Sequence, residues 1–66
     1  MITILRNKDI SDKLVFEAKD DGAPVGAITC TTDGETLFVE TLETPYIMLV
    51  DGLMRTAMNY ALNHYI

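Results

Sequence analysis

Two turn signals, "KDDGAP" (Lys19 to Pro24) and "TTDGET" (Thr31 to Thr36), constrain the fold of this chain more than any other feature. Each lies between runs of strand-forming residues, and together they predict an antiparallel meander. In the second signal, Asp33 and Gly34 suit a two-residue turn whose centre needs positive φ, which sets Cys30 opposite Leu37 and Ile28 opposite Val39. In the first, a three-residue loop of Asp20, Asp21 and left-handed Gly22 sets Leu14 opposite Ile28 and Phe16 opposite Gly26. A two-residue loop would instead bring Lys13 and Glu17 among the apolar residues, so the hydrophobic pattern selects the longer loop. The expected core face is Leu14, Phe16, Ala18, Ile28, Cys30, Leu37 and Val39. Met1 to Leu5, "MITIL", is predicted to pair with the Lys13 to Lys19 strand, joined to it by "RNKDISD" as a loop or single turn. The meander thus spans residues 1 to 42.

After "ETLFVETL" comes Thr44-Pro45, where a hydroxyl can cap free amides and proline suits a first helical turn. One helix is predicted over about 45 to 64. Val50, Leu53, Met54, Ala57, Tyr60, Ala61 and His64 fall on one stripe at 3.6 spacing, with Asp51, Arg55, Asn59 and Asn63 opposite. That stripe packs on the sheet and makes an α+β fold. Gly52 either permits a close approach of backbone or marks where regular helix begins.

The 66 residues make one domain, 1–66, and a chain this short buries only about 60% of the surface its unfolded form exposes. With 48% hydrophobic residues it has the composition of an ordered chain, while a formal charge of -5 argues against nucleic acid or an anionic membrane as partner. Arg6, Lys8, Lys13, Lys19 and Arg55 are scattered and make no basic patch. Cys30 is the single cysteine, so an internal disulfide is excluded. With no cleavable signal and no bilayer-length apolar run, a cytoplasmic location is expected.

The order of four strands and a helix, with the segments "VGAITC" (Val25 to Cys30), "LFVET" (Leu37 to Thr41) and "LMRTAMNYA" (Leu53 to Ala61), resembles the GCN5-related N-acetyltransferases. These segments are similar to that family's third strand, fourth strand and following helix, and the likeness spans roughly residues 13 to 66. The resemblance implies a front half of the acetyltransferase fold, ending at "NHYI" where the family's fifth strand would start. In the family, the loop before this helix offers glycine-rich backbone amides to the pyrophosphate of coenzyme A. Here the corresponding residues are Pro45, Tyr46, Ile47, Met48, Leu49 and Val50. Proline removes a donor, bulky side chains fill the space, and no Arg or Lys is present to meet phosphate. The expectation is therefore an acetyltransferase-like chain that is non-catalytic and holds no cofactor.

Individual groups read the same way. Cys30 on the core face acts as a small apolar residue, without a base near it in sequence. His64 caps helix carbonyls or packs at the edge of the stripe, and as a lone histidine it makes no metal site. Glu40 and Glu43 lie where family members sometimes place a general base, but alternation on a solvated strand face explains them. Turn chemistry explains Asp20 and Asp21, and packing explains Met48, Met54 and Met58.

The leading expectation is a homo-oligomeric structural or interaction module. One alternative is an acyl-CoA-binding protein or N-acetyltransferase whose site for coenzyme A or acetyl-CoA is completed by a second chain. Another is a small acidic regulatory subunit for a basic protein. Self-association is expected because the helix covers one sheet face only, leaving Val15, Val25, Ala27, Phe38 and Leu42 on the other, and because the Glu35 to Leu42 strand is a free edge. The expected homodimer interface comprises Phe38, Leu42, Val25 and Ala27. Calorimetric titration with coenzyme A is expected to show no saturable binding, and acetyl transfer to amines no rate above background. A micromolar dissociation constant would reverse that reading.

Overall fold

The structure, a computed structural model, describes residues 1–10 and 12–64. Four strands, β1 (Ile2–Arg6), β2 (Leu14–Asp20), β3 (Ala23–Asp33) and β4 (Thr36–Glu43), form one antiparallel sheet in sequence order, followed by helix α1 (Ile47–Asn63). Alternation along β2 sends Leu14, Phe16 and Ala18 to the helix side, where they meet Ile28 and Cys30 of β3 and Leu49, Leu53 and Ala57 of α1. Ile28, Cys30 and Leu53 are completely enclosed. Phe16 meets Tyr60 edge to face, with ring centroids 5.8 Å apart.

The meander and its core face agree with expectation, whereas both registers differ: by two residues between β2 and β3 over Leu14 to Ala18, and between β3 and β4 by two at Cys30 and by three at Ile28, which pairs with Leu42 rather than Val39. Leu14 pairs with Cys30 and Phe16 with Ile28, rather than Leu14 with Ile28 and Phe16 with Gly26. The β2–β3 connection is a two-residue turn at Asp21 (φ 50) and Gly22 (φ 90), both positive as a type I′ turn requires. Such a turn alone would expose the wrong face of β2. A bulge at Val25 adds one residue to β3 and restores the phase, so Ala18 still faces Gly26.

At the second turn Asp33 pairs with Thr36, so Gly34 and Glu35 form its centre instead of Asp33 and Gly34. Positive φ falls on Gly34 (62°) and not on Glu35, as in a type II′ turn. Cys30 therefore faces Val39, not Leu37. Beyond it, Thr29 pairs with Thr41 and Ile28 with Leu42, which leaves Glu40 as an extra residue in β4. This second bulge turns Leu42 to the helix side, where it packs against the core with Val25 and Leu37. Leu42 and Val25 thus do not belong to the open face, contrary to the sequence expectation. Val39 faces the helix side as expected but stays 42% exposed at the sheet edge.

The helix starts two residues later than predicted. Tyr46 is its N-cap in extended conformation, and Pro45 precedes it. Thr44, expected to cap the helix, lies two residues before the N-cap and meets no helical amide: its hydroxyl accepts a bond from the Tyr46 amide at 3.2 Å and donates to the Val25 carbonyl at 2.9 Å. Leu49, absent from the predicted stripe, is buried, whereas Val50 is only half-buried and lies outside the core cluster.

Two glycines have opposite reasons for being small. A Cβ on Gly26 would stand 2.8 Å from Thr44 Cβ and 3.1 Å from the Glu43 carbonyl oxygen, so the β4–α1 elbow closes only over glycine. Gly52 lies inside the helix, where a Cβ would reach Ile4 Cδ1 at 3.4 Å, an ordinary contact. Gly26→Ala is expected to lower stability by about 1–3 kcal/mol through overpacking. Gly52→Ala is expected to leave it unchanged or raise it by up to about 1 kcal/mol through helix propensity. Urea unfolding of both variants checks the contrast.

Candidate functional site

The polar groups with chemical potential are engaged separately. Cys30 is fully buried among apolar residues, and burial first, then the nearby Glu40 charge, pushes its thiol pKa up. A raised pKa means less thiolate and a less reactive sulfur. Glu40 is bound instead to Lys13, Nζ to Oε2 at 2.9 Å, and this hydrogen bond raises the lysine pKa. Both partners are well exposed, so the pair contributes little to stability. Glu43 is exposed and lies opposite Ala27. Asp20 and Asp21 both accept hydrogen bonds from the Met1 amino group, at 3.2 and 2.9 Å. Asp21 foremost, then Asp20, holds that amino group protonated above its usual range.

His64 closes the helix. Its amide bonds the Tyr60 and Ala61 carbonyls, its ring stacks on Tyr60 with centroids 3.9 Å apart, and Nδ1 lies 2.9 Å from the Tyr60 carbonyl. Arg6, which sequence reading left as a scattered base, reaches the same ring. Its guanidinium lies over Tyr60 at 5.2 Å, and Nη1 donates to the Tyr60 hydroxyl at 3.2 Å. Arg6 Nε is buried without a partner among the described residues. Period-two alternation put Arg6 on the helix side of β1, opposite Phe16, and this was the available signal. Arg6, Tyr60 and His64 thus tie β1 to the end of α1.

The structure brings together neither Cys30 with His64 nor the aspartates with either. Among the described residues, no three His, Cys, Asp or Glu side chains gather around a cation position. No described helix is long and apolar enough to cross a membrane. Asp12, Lys13, Leu14 and Thr32 line a small, open recess.

Apolar exposure is the more distinctive feature. Phe38 is 51% exposed on the open face of β4, while Val39, its neighbour, is exposed on the helix face. On α1, Ile47 and Met58 are exposed. The Gly52 position points toward Ile4 of β1, so Ile47, Met54 and Met58, about half a turn round the helix, lie on the flank toward β4. The open face keeps Ala27 and Phe38 of the expected interface and adds Thr29, Thr31 and Thr41 beside them. Val15 is buried on that face, and Leu5 on β1 is exposed. Met54 packs against the core as the sequence predicts, whereas Met48 and Met58, expected to pack, are exposed. Exposed Leu62 gives no sequence signal because Asp51, Arg55 and Asn59 share its side of the helix.

Comparison with protein families, curated proteins and solved structures returned no match to this chain.

The raised Cys30 pKa carries a sign. A thiol held protonated in the fold stabilises it fully below the unfolded thiol's pKa, and that contribution is lost as pH rises through the folded value. Native protein at pH 8 is expected to react with a disulfide reagent at least tenfold more slowly than urea-unfolded protein. Equal rates would place the thiol in solvent.

Proposed function

We propose that this chain is a non-catalytic, acetyltransferase-like module that acts by associating with copies of itself. The supporting observation is the exposure of apolar side chains on both faces of the edge strand β4, beside a helix flank that also exposes Ile47 and Met58; the other edge strand, β1, exposes Ile2 and Leu5 without such a flank. Phe38 and Val39 emerge from opposite faces of one edge strand, and an edge of this kind invites pairing.

Surface area gives independent support. The chain exposes 4728 Å². A compact monomer of this mass exposes about 4,200 Å². The excess, about 500 Å², is comparable to what one partner gives to a small, weak interface. A sheet with one covered face leaves this surplus, and a second copy removes it without new sequence.

The acetyltransferase likeness rests on element order and on the segments "VGAITC" (Val25 to Cys30), "LFVET" (Leu37 to Thr41) and "LMRTAMNYA" (Leu53 to Ala61). Where that family binds pyrophosphate, Tyr46, Ile47 and Met48 stand exposed at the start of the helix. Their side chains favour an apolar partner over a phosphate.

Light scattering coupled to gel filtration is expected to give twice the chain mass. Phe38→Glu is expected to halve that mass and lower the melting temperature by several degrees. A folded monomer at high micromolar concentration, indifferent to the substitution, would overturn the proposal.

A further inference from the structure

The geometry points to one arrangement of two copies: β4 pairs antiparallel with β4 of the second copy about a two-fold axis at Phe38, with both helices on the same face of an eight-stranded sheet. This rests on the proposed self-association and fixes its register.

The occupant of the edge must cover both faces at once, because Phe38 emerges on one and Val39 on the other. A body stacked on the open face would bury Phe38 and leave Val39 wet. An added strand touches both. A lone strand, however, would not reach Ile47 and Met58, which stand above the sheet on the flank toward β4. A second copy supplies a strand together with a helix carrying the same apolar flank, and the long methionine side chains close the space between the two helices.

Symmetry then selects the register. A two-fold axis perpendicular to a sheet carries a strand onto an antiparallel neighbour with its faces unchanged, so facing residues come from equivalent faces. Pairing Phe38 with Val39 across the axis is forbidden on this ground. With the axis at Phe38, the two phenyl rings meet on the open face, while Leu37 faces Val39 on the helix face. Glu40 falls beside Thr36 and keeps its ion pair with Lys13. With the axis at Val39, Glu40 would lie against Phe38, setting a carboxylate on an aromatic ring, and Leu37 would fall opposite Thr41, whose side chain the Glu40 bulge has turned to the other face, so that Leu37 gains no partner.

The Glu40 bulge also limits the contact. It interrupts the regular ladder just past Val39, so pairing is confined to about residues 36 to 40. A two-fold contact closes on itself and leaves no second β4 edge free, which favours a dimer over a growing fibre.

The test is isotope-filtered NMR on an equal mixture of labelled and unlabelled full-length chain. Leu37-to-Val39 methyl contacts between copies are expected. Val39→Lys is expected to raise the dimer dissociation constant at least tenfold, whereas Leu5→Lys, an equally surface-placed change on β1, leaves it unchanged. A dimer whose contacts between copies join Thr29 and Thr31, Leu5, or Phe38 with Glu40 would overturn this register while leaving self-association standing. A chain monomeric at every concentration would remove both. If Val39→Lys unfolds, the filtered contacts of the native chain decide alone.

Discussion

The position of the helix over the sheet depends on one hydroxyl. Thr44 Oγ1 donates to the carbonyl of Val25, the bulged residue of β3, and accepts the amide of Tyr46, the N-cap residue of α1. The elbow between strand and helix is therefore fastened to the next strand at the point where its ladder is interrupted. Thr44 can come so close only because Gly26 has no side chain in its way. From there, helical periodicity brings Leu49, Leu53 and Ala57 down onto Ile28 and Cys30. A change at Gly26 thus disturbs the bulge, the elbow and the core together, and not one contact.

The two bulges decide what the sheet presents on each side. Without the extra residue at Val25, a type I′ turn would set Glu17 and Lys13 toward the helix. Without the extra residue at Glu40, Leu42 would face away from it. Each insertion reverses the alternation once, and each falls where apolar spacing along the strand departs from two. The result is an apolar helix side and an opposite side on which threonines surround Phe38.

The fold class, the strand order, the core face of β2 and β3, and the helix were legible because periodicity reports burial directly. Registers were not, because turn type and bulges compensate: Asp21-Gly22 allows a tighter turn than the apolar pattern alone would accept, and Val25 absorbs the difference. The role of Thr44 was half legible. Its residue type announces a cap, yet its partners, the Val25 carbonyl and Tyr46 amide, emerge only once Gly26 lies beneath it. Phe38 was identified as open from sequence. Val39 was read as core, since alternation gives the face of a residue and not its distance from the edge. Arg6 was missed because a charged residue on an apolar face has no sequence signature for the aromatic ring that receives it.

A short chain that covers one face of its sheet with one helix keeps an open strand edge and an excess of exposed surface. The proposed self-pairing of β4 would relieve both, and it would change the environment of specific backbone amides. Residue-resolved hydrogen exchange across a hundredfold range of protein concentration tests this most directly. Outward amides of residues 36 to 40 are predicted to slow as concentration rises, while amides along the β1 edge exchange at constant rates. Exchange at β4 that is fast and independent of concentration would contradict self-association through this edge.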